Sequence, residues 1–140
     1  ETGVVKDSRE AFRKYLGTGK QAWVKPHWTE PLEIIRWIRA AGGVAVLAHP
    51  GKYKLTRTKL LKLIDAFIDA GGQGLEVFTG NQHSSRSADL ARICRQKNLL
   101  ASCGSDFHSM DQHWARLGNF PALPADCTPV WHNWEPLLPA

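Results

Sequence analysis

Helical segments alternate with short apolar runs along this chain, and this alternation limits the possible folds more than any other feature. The apolar runs cover residues 44–48, 75–78 and 99–103, and amphipathic segments starting near Thr56 and Ser84 separate them. Connections of helical length between strands favour right-handed parallel crossovers. Uninterrupted apolar runs are typical of parallel strands that are buried on both faces. The sequence therefore predicts an α/β protein with a parallel sheet.

Helix starts can be placed from capping residues and prolines. Asp7 with Glu10 predicts a short first helix that ends at Gly17, and Thr29 before Pro31 predicts a second. Thr56 or Thr58 would begin the third helix, and Ser84 or Ser85 the fourth. A last short strand is expected at 130–132. The six tryptophans are expected to anchor packing rather than to bind a ligand.

Composition limits the class of protein. With 140 residues, 43% hydrophobic and 22% charged, the chain has the balance of one globular domain. No apolar stretch approaches the length of about 20 residues that a membrane span needs, so no membrane partner is expected. The three cysteines lack Cys-x-x-Cys spacing, which predicts free thiols, no disulfide partner and a cytoplasmic location. A net charge of +5 favours anionic partners such as nucleotides or RNA.

Two potential metal ligands follow the third apolar run. Asp106 and His108 are two positions apart, and on an extended backbone their side chains would point to the same side. A carboxylate beside an imidazole suits zinc, manganese or iron. Gly104 and Ser105, which precede them, would let a backbone and a hydroxyl approach a ligand closely. The alternative is that Asp106 caps a turn and His108 is an ordinary surface histidine.

A second imidazole stands at the end of another apolar run. His49 follows residues 44–48, and Pro50 is expected to hold it extended. In α/β barrels the chemistry collects at the carboxyl ends of parallel strands, which is where both motifs fall. Three protein ligands with open positions are typical of a catalytic metal. His49, Asp106 and His108 are therefore the predicted metal-binding and catalytic residues.

Further polar residues lie in the adjoining loops. Lys52, Tyr53 and Arg57 could contact a phosphate and stack on a base, and the alternative is a set of solvated loop side chains. His83 lies in a polar loop that could carry function, or it is a surface histidine. Glu76 lies inside the second apolar run, where it is either a partner of the site or faces solvent.

Two segments carry a family resemblance. Residues 42–53, Gly-Gly-Val-Ala-Val-Leu-Ala-His-Pro-Gly-Lys-Tyr, and residues 101–108, Ala-Ser-Cys-Gly-Ser-Asp-Phe-His, are separated by Gly-Leu-Glu-Val at 74–77. Together they resemble the second half of a polymerase and histidinol phosphatase (PHP) domain, and more narrowly its TrpH-like branch. Members of that branch act as nucleoside 3′,5′-bisphosphate phosphatases and 5′-to-3′ exoribonucleases.

The resemblance implies a fold and a site. The fold would be a distorted (β/α)7 barrel whose strand ends hold up to three divalent metals, Mn, Zn or Fe. Residues 1–30 would be the tail of a helical insertion and a connector, and residues 31–140 the C-terminal half of the barrel. The implied metal ligands are His49, Asp106 and His108, and the residues expected at the substrate are Lys52, Tyr53, Arg57, Ser105 and His83.

The resemblance also implies an incomplete site. The family's His-x-His strand has no counterpart in this chain, so the missing N-terminal half of the same domain is an expected partner and the chain alone is expected to be inactive. The complete enzyme would hydrolyse 3′,5′-bisphosphonucleotides, or short RNA from its 5′ end, by metal-activated hydroxide. The alternatives are a histidinol-phosphate-type phosphatase and a non-catalytic module that binds nucleotides or nucleic acid on the same scaffold.

Overall fold

The computed structural model describes residues 3–80, 82–110, 115–132 and 134, within which helices and strands alternate as predicted. A π-helical turn at Phe12–Leu16 extends the first helix, and a 3-10 turn at Pro50–Lys52 follows the first strand. In chain order the elements are α1 (Ser8–Ala11), α2 (Pro31–Ala40), β1 (Val46–Leu47), α3 (Arg57–Asp69), β2 (Gly74–Thr79), α4 (Ser84–Gln96) and β3 (Leu100–Gly104).

The three strands form one parallel sheet in the order β1-β2-β3. The α/β class and the parallel sheet are therefore confirmed. The predicted strand at 130–132 is wrong, because a turn forms there and Pro129 bridges Ala101 instead. This bridge uses the Thr128 carbonyl and the Val130 N–H, at 2.8 and 2.9 Å, so it does not require the N–H that proline lacks.

Helix caps agree with the predictions in part. The Asp7 side chain accepts from the Glu10 N–H, and the Thr56 hydroxyl accepts from the Lys59 N–H. Glu30 rather than Thr29 precedes α2, and it makes no side-chain cap. At α4 the cap is His83, whose Nδ1 accepts from the Ser85 N–H at 3.3 Å, in place of either predicted serine. Imidazole supplies the acceptor here because its Nδ1 reaches the same backbone donor that a serine oxygen would.

The apolar core lies between the sheet and the two long helices. Leu60 and Ile64 of α3 and Leu90 of α4 cluster with Leu75 and Val77 of β2. Two successive right-handed crossovers in the same direction place both helices on one face of the sheet. The other face, which includes Glu76 and Phe78, is only half-buried. The prediction that the strands are buried on both faces is therefore wrong.

Apolar groups outside this core are widely exposed. Trp28 is 82% exposed and Trp37 57%, and α2 buries only Ile35. The prediction of packing anchors is wrong for these tryptophans, because in the described part of the chain no other element covers that side of α2; Trp114 lies outside the described residues. In the same described ranges no helix is long and apolar enough to cross a membrane. The three cysteines are free thiols.

Replacing Leu60 with Ala should lower the free energy of unfolding by about 2–5 kcal/mol, because a buried leucine leaves a cavity. Leu63, on the same helix, is the matched control: it is 36% exposed, against 5% for Leu60. Leu63→Ala should change the free energy by about 0.5 kcal/mol or less. Urea denaturation of the protein carrying this sequence measures both, and equal losses would contradict the packing of α3 described above.

Candidate functional site

The loops after the three strands meet at one edge of the sheet. His49 follows β1, Gly80 follows β2, and Ser105 and Asp106 follow β3. The Gly80 N–H donates to the Gly104 carbonyl at 2.9 Å. Gly80 has φ +51°, and a Cβ there would lie 3.0 Å from the Ser105 carbonyl oxygen, so the loops after β2 and β3 touch through backbone. The predicted strand-end placement of the motifs is what the structure shows.

Two of the predicted ligands have left-handed backbone. His49 has φ 34° and Asp106 has φ 54°. The expectation that Pro50 holds His49 extended is therefore wrong. A 3-10 turn begins directly after His49, at Pro50–Lys52, and His49 is its N-cap residue. This conformation costs a residue with a Cβ about 1–2 kcal/mol, and such residues cluster at active sites and ligand clamps.

The His49 loop is held by hydrogen bonds from both sides. The His49 N–H donates to Glu76 Oε2 at 2.6 Å, and the Tyr53 hydroxyl donates to the Ala48 carbonyl at 2.9 Å. Of the two roles left open for Glu76, the structure supports that of a partner of the site. Burial raises the pKa of the Tyr53 phenol, and the negative charge of Glu76 raises it by a smaller amount, so the phenol stays neutral.

The imidazole of His49 is available to a ligand. Its Nδ1 is buried and has no hydrogen-bond partner among the described residues. A buried polar atom without a partner is costly unless something absent from the structure satisfies it. The Tyr53 ring stands edge-on to the imidazole, with 6.0 Å between ring centroids, and helps to fix its plane.

Asp106 is paired with a lysine. Lys52 Nζ binds Asp106 Oδ2, and this hydrogen bond, against the opposing effect of burial, lowers the pKa of the Asp106 carboxyl. His108 lies beside it, with Nδ1 2.8 Å from the Asp106 carbonyl oxygen and 3.8 Å from Oδ1. The same-face argument for this pair does not hold, because β3 ends at Gly104 and the left-handed Asp106 breaks the alternation of side chains.

The predicted ligands are near one another but are not gathered at one point. The negative charge of Asp106 interacts with both His49 and His108. Across the described ranges, however, no group of three or more His, Cys, Asp or Glu side chains is placed to hold a metal ion. The chain thus presents parts of a metal-binding set.

A cleft of about 470 Å³ opens beside Asp106. This volume lies in the range of about 300–1,000 Å³ that is typical of small-molecule sites. Of the predicted site residues, it is lined by Lys52, His83, Ser105 and Asp106. Sequence reasoning missed five further polar or glycine positions that line it: Gly51, Thr79, Gly80, Gln82 and Arg86.

The missed residues are placed by close packing. A Cβ on Gly51 would lie 1.9 Å from Gln82 Oε1, so only glycine lets this turn approach the Gln82 side chain. Gln82 Nε2 in turn donates to the Val77 carbonyl at 2.8 Å and to Ser87 Oγ at 2.7 Å. The glycine after His49-Pro50 was the available signal in the sequence.

Tyr53 and Arg57 are not among the residues that line this cleft. Arg57 instead binds Asp89, which also binds Arg92. Burial would raise the pKa of the Asp89 carboxyl, but hydrogen bonds from Arg92 and Arg57 outweigh it, and the pKa lies below its usual 3.8. The prediction that Arg57 contacts substrate is thus not supported by its position, because a carboxylate of α4 already occupies its guanidinium.

The chain is similar to proteins about twice its length. It is 41% identical to a 3′,5′-nucleoside bisphosphate phosphatase of Chromobacterium violaceum over 135 residues, which are 96% of this chain and 47% of that protein. It is 40% identical to the 5′-3′ exoribonuclease Rnm of Salmonella typhimurium, again over 96% of this chain and 46% of that protein. The chain therefore spans about half the length of the curated relatives it matches. No family model matches it.

Two solved structures share the fold. An amidohydrolase from Chromobacterium violaceum, with bound sulfate and no metal, has a TM-score of 0.75 and 42% identity, covering 92% of this chain and 44% of that one. A Bifidobacterium adolescentis protein described as a metal-dependent phosphoesterase has a TM-score of 0.61 and 28% identity, covering 79% and 39%. Phosphoesterases and exoribonucleases thus recur among the proteins that this chain resembles.

The Asp89 carboxyl should titrate below pH 3.8, and Arg92→Ala or Arg57→Ala should raise its midpoint, because each removes a donor to the ionised form. Since the pKa is lowered by folding, the stabilisation is present above the ordinary pKa and is lost as the pH falls through the lowered one. Carboxyl-carbon NMR of Asp89 measures the midpoint. An unchanged midpoint in both variants would show that Arg57 is free for other roles.

Proposed function

We propose that this chain is the C-terminal part of a metal-dependent phosphoesterase of the PHP family that hydrolyses phosphate esters of nucleotides. Residues 31–140 are assigned to the C-terminal half of a distorted (β/α)7 barrel, and residues 1–30 to the tail of a helical insertion and its connector. The N-terminal half of the same domain would supply the remaining strands. The printed functions of the longer relatives support the activity, and the half-buried sheet face supports a larger barrel.

One observation carries the proposal. Two groups lie at a single edge of the parallel sheet. One is the buried His49 Nδ1, which has no hydrogen-bond partner among the described residues, and the other is the ionised Asp106 carboxylate, to which Lys52 is bound. Metal ligands and a phosphate-binding cation are what phosphoester hydrolysis needs side by side. The carboxyl ends of parallel strands are also where α/β enzymes place such groups.

His49, Asp106 and His108 are the residues that would hold a divalent metal. The donor set of imidazole and carboxylate suits zinc, manganese and iron alike, and the unpartnered His49 Nδ1 fits a role as ligand. Up to three ions are proposed for the whole domain, with the other ligands coming from its N-terminal half. When bound, the metals would supply Lewis-acid catalysis and an activated water.

The other residues of the chain would bind and orient the substrate. Lys52 and Ser105 line the cleft beside Asp106 and can donate to phosphate oxygens, with the lysine neutralising their charge. His83 also lines the cleft, with Nδ1 3.3 Å from the Ser85 N–H and 2.8 Å from Ser85 Oγ, and its ring would help to orient the substrate. Tyr53 supports the His49 loop through Ala48. A nucleotide or the 5′ end of an RNA is the proposed substrate.

A second candidate is a non-catalytic module that binds nucleotides on this scaffold. The specific observation in its favour is that the described residues bring together no complete set of metal ligands. The two functions differ in their response to a chelator. Nucleotide binding that persists unchanged in EDTA, with no hydrolysis in added Mn²⁺, Zn²⁺ or Fe²⁺, would favour the module over the enzyme.

Asp106→Asn in the full-length protein should lower turnover of a 3′,5′-bisphosphonucleoside by more than about 100-fold. Mutating a group that only orients a metal ligand already lowers metal affinity or activity about 10–100-fold. The Asp106→Asn substitution removes the ligand charge at nearly constant volume, so folding should persist. Asp126→Asn is the control, because Asp126 pairs with Arg95 away from the cleft. Retained activity with unchanged metal content would remove Asp106 from the site, and faster hydrolysis of histidinol phosphate than of any nucleotide would reassign the substrate.

Residues 1–140 alone should show no phosphatase activity with abundant Mn²⁺ and substrate, because the proposed ligand set is only partly present in this chain. Adding the separately expressed N-terminal half should restore activity and lower the chain's tendency to aggregate, since exposed strand edges and apolar faces invite pairing. Light scattering and a phosphate-release assay measure both. Full-length rates from a monomeric 140-residue chain would contradict the half-barrel assignment.

A further inference from the structure

The positive charge of this chain is concentrated in one segment. Residues 50–64 contain no acidic residue and five basic ones, Lys52, Lys54, Arg57, Lys59 and Lys62. The chain has 18 basic and 13 acidic residues in all, so the 13 basic residues outside this segment are balanced by the 13 acidic ones. The whole net charge of +5 therefore comes from residues 50–64. A basic cluster of this kind favours a polyanionic partner.

This basic segment begins at the edge of the sheet that carries the candidate site. Its first part follows β1 and includes Lys52, which lines the cleft beside Asp106. Its second part is the start of α3, where Arg57 lines a smaller cleft together with Arg86. Arg86 also lines the first cleft. The two clefts share this residue as a wall, so the amino end of α3 lies next to the candidate site.

Two of the five basic residues pair with carboxylates, as described above, and the other three do not. Lys54, Lys59 and Lys62 are exposed, and none of them forms an ion pair with a carboxylate in the described ranges. Lys59 and Lys62 are three positions apart on α3, so their Cβ atoms lie about 5–6 Å apart on one side of the helix. Leu60 and Ile64 of the same helix are buried in the core. We call the three exposed lysines the lysine face.

The chemistry of the lysine face fits a nucleic-acid backbone better than a membrane. A helix that lies in a membrane interface needs an exposed apolar face, whereas α3 packs Leu60 and Ile64 into the core. Lysine binds phosphate as a flexible point charge. Residues 54–62 include no aromatic side chain that could stack on a base. Binding there would therefore be electrostatic and independent of nucleotide sequence.

We propose that the lysine face binds the phosphate backbone of a single-stranded RNA outside the cleft, beyond the nucleotides that the cleft holds. The inference rests on the proposed phosphoesterase function and deepens it, because a surface of this kind serves a chain of several nucleotides and not a mononucleotide. Lys52 lies in the cleft, Lys54 follows it two residues later, and Lys59 and Lys62 continue along the outer side of α3. The RNA would leave the cleft along these residues.

The test compares short and long substrates in the full-length protein. The double variant Lys59→Gln/Lys62→Gln removes two exposed charges and keeps a similar helix propensity, so folding should persist. Its kcat/KM for a 5′-phosphorylated RNA of about ten nucleotides should fall about tenfold, mainly through KM, because two phosphate contacts are lost. Hydrolysis of a 3′,5′-bisphosphonucleoside should be unchanged. Lys20→Gln/Lys25→Gln is the matched control, since it removes the same charge from exposed lysines outside residues 50–64.

Fluorescence anisotropy of the same RNA in EDTA gives a readout that does not depend on turnover. The slope of log K against log salt concentration should become shallower by about 1.4 in the Lys59/Lys62 double variant, because each phosphate contact on a single strand contributes about 0.7. Unchanged RNA binding, or equal losses of hydrolysis for the long and the short substrate, would overturn the role of the lysine face. Reduced binding to anionic lipid vesicles with unchanged RNA binding would overturn it in favour of a membrane. A wild-type protein that hydrolyses neither substrate would refute the proposed function, while the anisotropy measurement would still decide the role of the lysines.

Discussion

The pairing of β2 with β3 beneath α4 is the arrangement on which the rest of this structure depends. Leu75 and Val77 of β2 are fully buried, as is Leu90 of α4. Parallel pairing brings the carboxyl ends of both strands to the same edge, which places Thr79 beside Gly104. The loops that carry Gln82, Ser105 and Asp106 therefore start from a rigid apolar layer, and their polar groups can be held close together without being part of the core.

Near that edge, several basic side chains form ion pairs with carboxylates. Asp106 binds Lys52, and Asp89 binds both Arg57 and Arg92. These ion pairs are largely exposed, so each adds little to stability. Their effect is instead on the local field: Asp89 neutralises two arginines that do not line the cleft, Lys52 stays in the cleft beside Asp106, and no described carboxylate pairs with Arg86. A net charge of +5 for the chain does not reveal this distribution.

The face of the sheet opposite α3 and α4 is not fully covered by the described residues. Glu76 and Phe78 on that face are only half-buried, and outside the sheet Trp28, before α2, and Trp37, on α2, are largely exposed. Exposed apolar surface of this kind is typical of a site where another polypeptide segment packs against the protein. The proposal of a half-barrel accounts for it together with the match to about half of each longer relative. It also explains why only part of a metal-ligand set is found among the described residues.

Local patterns in the sequence were sufficient for the α/β class, the parallel sheet, the caps at Asp7 and Thr56, and the placement of His49 and Asp106 at strand ends. Each depends on residues within a few positions of one another, where periodicity and capping act. The left-handed backbone of His49 and Asp106 was not predicted; at His49 it belongs to the 3-10 turn that begins at Pro50, and at Asp106 it lies in the irregular segment after β3.

Only the tertiary structure decided which charges meet. Lys52 and Asp106 are 54 positions apart, and Arg57 and Asp89 are 32 apart. Such pairs form because strand order and helix packing bring distant loops together, and no local pattern encodes them. For the same reason the sequence analysis predicted that Arg57 contacts the substrate and did not identify Arg86 as a cleft residue, although both arginines lie near the start of a helix. What separates them is the position of the Asp89 carboxylate, which the packing of α3 beside α4 determines.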